Sequence, residues 1–572
     1  MKKLITIIFV LVILTTLCST VAQAATVTTS GSGNWSSTTP NAPWPGGTIP
    51  ATTDDIVIGN AYTLTVDGNR TCNSISFTAP ASGTGSGTLT VNSGVLLTVT
   101  TVVSAPATGI ATKITGTYTI SGLGAISCEN LNCNNTETPS GRGSTSITLI
   151  STISTLTISG NLTLNATYTS ASSKVNNPIF NLRSGTVTVN GSVTSVNQNA
   201  INVSKLDMVT SAASPTLVLA GATPFNLSGT GTNTIDLNGT GATVNYSNAV
   251  AQTVRGTAYT NLTLSGGGTK TLQTGTTEIG GNLTLSGTAT TTTVVGLTIN
   301  GNLSVGDGTT FNAAGFDLTV TGNTAVGAGT SGNLTISSAT GAKLFTDLVT
   351  INAGGIWNNS GNSTVTFRGG ITNNATFTAG SGIQTFSTNS QVLTGAFSIP
   401  NVTVTEVTLT NNNTLTVSTA LAGTGGLTNA ATGTLNINFT GVTGITTLTA
   451  TASGNTVNYG FAGTQTVFAT NYHHLTFSNA GVKTFPSGTT GITGNFTISD
   501  AATGDATTNN TTINYNGSGA QNAGAINYNN LTFSNAGVKT FSAGTTGIAG
   551  VFTISGTATG DATTNNTTIN YN

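Results

Sequence analysis

Apolar and hydroxyl or amide residues alternate along most of this chain. Leu162-Thr163-Leu164, Val187-Thr188-Val189, Leu475-Thr476-Phe477 and Ile513-Asn514-Tyr515 share one two-residue beat. Period two turns one set of side chains inward and the other outward, so each such segment predicts a short, half-buried β-strand. Clusters of Gly, Asn and Asp between the segments supply the positive φ and turn hydrogen bonds of corners. A longer beat lies over the short one. Gly-Asn-(Leu/Phe)-(Thr/Ser)-(Leu/Ile/Val) begins at Gly160, Gly281, Gly301, Gly332 and Gly494, and Gly-Asn returns at Gly322. From Gly281 to Gly301 is 20 residues, and from Gly301 to Gly322 is 21.

The C-terminal part repeats almost verbatim. NYHHLTFSNAGVKTF at Asn471 returns as NYNNLTFSNAGVKTF at Asn527, a shift of 56. Tyr459 and Tyr515 keep that phase, each followed six residues later by a glutamine, Gln465 and Gln521. A looser copy begins at Asn245-Tyr246, with Gln252 again six residues on. The alternating segments inside a copy start at Leu475, Phe496, Ile513 and Leu531, at spacings of 21, 17 and 18. The spacing predicts three turns of about 19 residues per repeat, and about 20 residues per turn over the whole chain. A strand of four residues cannot bury its apolar face alone, but it can when stacked on equivalent strands above and below. The fold expected is therefore all-β, a parallel β-helix (β-solenoid) with an N-terminal cap. The alternative is a string of tandem β-sandwich domains, with hairpin turns every roughly 8–12 residues.

The organisation expected is a signal peptide over 1–24, a cap region over 25–75, degenerate solenoid turns over 76–454 and regular 56-residue repeats over 455–572. Lys2 and Lys3 precede an apolar run from Leu4 to Leu17 and small residues at Ala22 and Ala24, the pattern of a secretory signal. The run is short for a membrane span. Trp35, Trp44 and the prolines at 40, 43, 45 and 50 break the alternation, as a solenoid cap does. The chain stops at Asn572 in mid-repeat, which points to a truncated reading with more repeats or a sorting domain beyond it.

Composition narrows the chemistry. Of 572 residues 125 are Thr and 73 are Gly, while only 5% are charged and the formal net charge is −1. With no basic excess there is no electrostatic support for a nucleic-acid partner. Thr on the outer half of a strand keeps that face wet and favours the extended backbone. Cys72, Cys128 and Cys133 follow the signal segment, so an oxidising compartment allows one disulfide and one free thiol, with the pairing open.

Every candidate site has a plainer explanation. His473-His474, the only histidines, correspond to Asn529-Asn530 in the next copy and to Thr260-Asn261 in the looser one, which favours a solvated corner over a metal site. Asp54-Asp55 could ligate calcium but suits a turn of the cap. Asp500, Asp505 and Asp561 lie in Gly-containing turns, without the dense Asp spacing of calcium-binding repeats. A β-helix lyase or hydrolase needs clustered carboxylates or a carboxylate–cation set. Arg142, Lys174, Arg183 and Lys205 look scattered, with no acidic pair nearby. No catalytic, cofactor-binding or metal residue is assigned, and no cofactor is expected. The Asn-x-Thr triplets read as turn residues.

Trp35-Ser36, Gly46-Gly47-Thr48-Ile49-Pro50, Asp54-Asp55-Ile56-Val57-Ile58 and Leu64-Thr65-Val66-Asp67-Gly68 resemble the opening of large secreted bacterial surface proteins. The GNLTLSGTAT, VNYSNAVAQTV and NYNNLTFS units resemble the β-strand repeats of filamentous-adhesin-like and autotransporter-like proteins. The resemblance implies a surface-exposed, right-handed β-helix used in adhesion, biofilm or cell-envelope structure, outside the cell or at the outer membrane. The expected function is thus a secreted, non-catalytic surface solenoid. Its partners would be a host or neighbouring cell surface or a polysaccharide, with lateral self-association possible and no membrane span in the mature chain. The alternatives are a polysaccharide- or ice-binding module and, behind it, a β-helix carbohydrate-active enzyme.

Overall fold

The computed structural model describes residues 24–80, 83–106, 114–134, 145–167, 175–210 and 213–571. Lys2, Lys3 and Cys18 of the expected signal segment, and Arg142 and Lys174, lie outside the described residues. The described chain is all-β: short strands joined by turns, with a single 3-10 turn at Pro45–Gly47 and no α-helix. Its strand pairings are parallel along both long and short ladders. Hairpin-linked sandwiches pair antiparallel, so the tandem-sandwich alternative is set aside. The chain divides into two compact units, Met1–Thr253 with Tyr259–Asn261, and Val254–Ala258 with Leu262–Asn572.

In the second unit three ladders advance together. Leu283–Leu285 pairs with Leu303–Val305, then Thr324–Val326, Val349–Ile351 and Ile371–Asn373. Thr290–Thr292 leads to Thr310–Ala313, Asn333–Ile336 and Ile356–Asn358. Leu297–Ile299 leads to Leu318–Val320, Lys343–Phe345 and Val365–Phe367. Each strand therefore meets its counterpart one coil later, as a β-solenoid requires. Leu283, Leu285, Leu303 and Val305 are fully buried, and each contributes about 1.5–3 kcal/mol by leaving water. The hydroxyls between them point out.

The coil step differs between the units. In the second, Asn302 N–H donates to Asn282 Oδ1 across 20 residues, and Asn323 N–H to Asn302 Oδ1 across 21. In the first, Thr145 bonds Asn176 across 31 residues, and Asn161 N–H reaches Asn130 Oδ1 across 31. Steps near the expected 20 thus occur in these coils of the second unit, while the first unit mixes a step of 19 residues, Asp55 to Ser74, with steps of 31 such as Thr145 to Asn176. Long strands lengthen the first unit's coils: Ile114–Asn132 has 19 residues and Thr145–Ile158 has 14, and each enters more than one ladder.

These bonds explain the Gly-Asn motif. The Asn carboxamide of one coil accepts the backbone N–H at the next coil's corner. A Cβ at Gly301 would lie 2.5 Å from Asn282 Oδ1, and a Cβ at Gly322 would lie 2.5 Å from Asn302 Oδ1. Glycine leaves the space that the preceding asparagine fills.

The 56-residue repeat does not close on itself. Val457 pairs with Leu475, and Leu475 with Phe496. Their copies Ile513, Leu531 and Phe552 pair in the same way, but in a different sheet, continuous with Thr489–Ile492. Phe496 and Ile513 are not register partners. The expected three turns per repeat is therefore corrected: each copy lands on another face of the coil. With about seven residues per strand-and-corner step, 56 residues carry eight steps, and three steps close a coil.

A polar set is built into the interior at constant spacing. Tyr246, Gln252, Tyr259 and Lys270 recur as Tyr459, Gln465, Tyr472 and Lys483, then as Tyr515, Gln521, Tyr528 and Lys539. All twelve are buried. Phe468 N–H donates to Tyr459 Oη (2.8 Å), Tyr459 to Tyr472 Oη (2.9 Å), and Tyr472 to Phe468 O (2.8 Å), so the loop of donors closes. Gly524, Tyr515 and Tyr528 repeat that loop. Burial pushes the Tyr459 phenol up to about 12. Gln465 Nε2 donates to Ile437 O and Phe439 O, both at 2.9 Å, while its Oε1 accepts Phe461 N–H. Lys539 Nζ donates to Gly517 O (2.7 Å), Gly519 O (3.0 Å), Ala536 O (2.9 Å) and Gln521 Oε1 (2.6 Å). Lys343 likewise holds Phe316 O, Thr340 O and Gly341 O.

The ammonium of Lys539 satisfies corner carbonyls that water cannot reach. Lys539→Ala withdraws the ammonium from the carbonyls of Gly517, Gly519 and Ala536 and is expected to cost about 3 kcal/mol of local stability. Hydrogen exchange of the amides at 517–541 measures it, and exchange as slow as in the parent chain would contradict the role.

Candidate functional site

The outward rows form the exposed face of the coils. Thr298, Thr319, Leu344, Thr366, Thr385 and Thr403 are successive register partners along one ladder. Thr263, Thr284, Ser304, Ala325, Thr350, Thr372 and Thr394 follow one another on a second. Each row presents close to one hydroxyl per coil, spaced by the roughly 4.7–4.9 Å between strands. In the first unit the hydroxyls bond along the row, Thr90 to Ser121 at 3.0 Å and Thr194 to Thr163 at 3.1 Å.

Charge is distributed less evenly than its sum suggests. The lysines of the second unit, Lys270, Lys343, Lys483 and Lys539, are all buried. Of the other basic side chains there, Arg255, Arg368, His473 and His474 are partly exposed. Burial also holds the Lys270 ammonium down to about 8.

One cluster combines both signs. Asn181, Asp207 and Asp236 are consecutive register partners in the first unit. Lys205 Nζ lies 3.3 Å from Asp207 Oδ2 and 3.0 Å from Asp236 Oδ2. The expectation that Lys205 has no acidic pair nearby is therefore corrected. Two of the three partners sit on strands that are 29 residues apart (Asp207 to Asp236) and adjacent only because the coils stack. Asp207 also accepts Val209 N–H (2.9 Å) and Thr210 Oγ1–H (2.7 Å), and Thr210 Oγ1 accepts Asn181 Nδ2–H (2.8 Å). Burial alone would raise the Asp207 pKa, but the Thr210 and Val209 hydrogen bonds and the Lys205 charge bring it below 3.8. Such a carboxylate stays ionised at neutral pH. It is buried and already engaged by Lys205, Val209 and Thr210, and it has no proton to give as a general acid.

The other candidates are engaged in corners. Asp54 accepts Ala25 N–H (3.0 Å) and Ala51 N–H (2.7 Å), and Asp55 accepts Asn73 Nδ2–H and Ser74 Oγ–H. Asp505 accepts Thr507 and Thr508 N–H, and Asp561 repeats this with Thr563 and Thr564. Asp500 has φ +56° and accepts Asn479 N–H. His473 Nδ1 accepts Gly454 N–H and His474 Nδ1 accepts Asn495 N–H. Each ring therefore carries its proton on Nε2, the wrong tautomer for a ready pair of metal ligands. Among the described residues no three His, Cys, Asp or Glu side chains come together as a metal cluster. Arg183 lies exposed just past the Asn176–Leu182 strand. Trp35 and Trp44 pack edge to face at 5.2 Å, with Trp44 Nε1–H on Trp35 O (2.7 Å). No helix among the described residues is long and apolar enough to cross a membrane.

Cys72, Cys128 and Cys133 are buried free thiols, and burial pushes each up to about 12. No disulfide joins them.

No family model matches the chain, and neither a curated protein nor a solved structure is significantly similar to it.

Alkylation of the native protein at pH 8 is expected to leave Cys72, Cys128 and Cys133 unmodified by peptide mass spectrometry, and alkylation in denaturant to modify all three. Fast native labelling of any one would contradict its burial. Asp207→Asn is expected to cost on the order of 1 kcal/mol at pH 7, discounted for the partly exposed Lys205. Because the folded-state pKa of Asp207 lies below 3.8, that contribution is full above pH 3.8 and is lost as the pH falls further. Denaturant titrations of parent and variant should therefore differ at pH 7 and converge as the pH falls below the folded-state value. A constant difference would remove the charge-based account.

Proposed function

We propose that this chain is a secreted, surface-exposed β-solenoid with an adhesive or cell-envelope structural role and no catalysis. Its coils are right-handed, as nearly all parallel β crossovers are, with about 20 residues each in the second unit, and residues 25–75 form its N-terminal cap. The observation that carries this reading is the division of labour within each coil. The reactive side chains are spent holding corners, and what remains outside is a repeating field of hydroxyls. The run from Lys2 to Ala24 supports export. The resemblance to filamentous-adhesin-like and autotransporter-like repeats supports the cell surface.

The Lys205–Asp207–Asp236 cluster favours polysaccharide over protein as the thing touched. The partly exposed Asp236 carboxylate and Lys205 ammonium can hold sugar hydroxyls, and the buried, ionised Asp207 argues against bond cleavage there. In the experiment, fluorescently labelled mature chain is applied to intact bacterial cells, cellulose and chitin, and soluble pectin is assayed for new reducing ends or unsaturated products. Retention on a cell or polysaccharide surface, with no products, is expected. A chain that washes off every surface, or one that cuts the pectin, would overturn the proposal.

A further inference from the structure

The asparagine corners described above are indifferent to pH, with one exception. In the last repeat Asn530 Oδ1 accepts Val551 N–H at 2.9 Å. One repeat earlier the same position holds His474, and its Nδ1 accepts Asn495 N–H at 3.0 Å. Beside it, His473 Nδ1 accepts Gly454 N–H at 3.3 Å. The two bonds run in opposite directions along the stack, one to the coil behind and one to the coil ahead. Both rings crowd the same corner. A Cβ at Gly494 would lie 2.6 Å from His474 Nδ1 and 2.8 Å from His473 Nδ1, so glycine is what lets them converge. The rings meet edge to face, with centroids 4.2 Å apart.

We propose that His474, packed against His473, forms an acid-sensitive joint between successive coils, which loosens when its imidazole takes up a proton. Protonation places an N–H on Nδ1, facing the backbone N–H it had accepted. Two donors then oppose each other and the inter-coil bond to Asn495 is lost.

The surroundings offer nothing to offset that. On the strand behind, Thr456–Tyr459, the register partner of His474 is Thr456, and the titratable Tyr459 is buried in the core. On the strand ahead, Phe496–Ile498, no residue titrates. The titratable neighbour acting on His474 is His473. Burial first, and then His473, place the His474 pKa below 6.5. The unfolded chain therefore takes up its proton before the folded joint does. Stability is full above pH 6.5 and falls as the pH drops from there toward the folded-state value.

The molecule contains its own control, because Val551 makes the same bond to an asparagine. Amide hydrogen exchange of the full chain is measured from pH 7.5 to 4.5 and corrected for the intrinsic pH dependence of exchange. Protection at Asn495 is expected to fall several-fold below pH 6.5, while protection at Val551 holds. A variant carrying His473→Asn and His474→Asn reproduces the corner of the next copy, so it is expected to fold and to lose the acid response. Unchanged protection at Asn495, an equal fall at Val551, or a response that survives in the variant would each overturn the proposal.

Discussion

A parallel coil can satisfy its backbone only through the coils on either side of it. Within a strand this is automatic, because each N–H and C=O meets a neighbour in register. At a corner the chain changes direction and the ladder breaks, yet the groups there remain partly buried. An unpaired buried N–H or C=O costs about as much as a lost hydrogen bond, and the loss would recur every coil. The structure meets this constraint with side chains. Asn302 and Asn530 accept corner amides, Gln465 and Gln521 bridge two carbonyls and an amide, and Lys343, Lys483 and Lys539 gather carbonyls around a buried ammonium. Glycines at 301, 322 and 494 make the close approach possible.

This constraint also governs what the surface can be. Polar residues capable of chemistry are drawn inward to serve corners, and alternation leaves hydroxyls outside. The main exception is the Lys205 cluster, where stacked coils bring Asp207 and Asp236 together around one cation. A repeating hydroxyl field offers many weak contacts over a large area, which is what the proposed adhesive or envelope role requires.

Much of the fold was legible because alternation and Gly-Asn spacing are local signals. Leu283, Leu303 and their successors point inward as their period requires. The longer coil of the first unit was not legible, since strands such as Ile114–Asn132 carry two ladders without a turn signal between them. Nor was the change of ladder between copies, because Val457 and Ile513 hold the same position of the repeat in sequence, and only the stacking decides which coil face receives each. The buried lysines were missed because a charge suggests solvent. The signal that could have found them was the constant Tyr–Gln–Tyr–Lys spacing at 459–483 and 515–539. The pairing of Lys205 with Asp236 depends on coil stacking alone, and a linear reading could not supply it.

Spin labels test the central claim, that coils stack in the stated register, most directly. Thr476 and Thr497 are outward register partners, whereas Thr497 and Asn514 are closer in sequence and stand in different ladders. Labels at cysteines placed at 476 and 497 should show strong dipolar broadening, and labels at 497 and 514 much weaker broadening. Equal broadening in the two pairs, or stronger broadening in the second, would contradict the account.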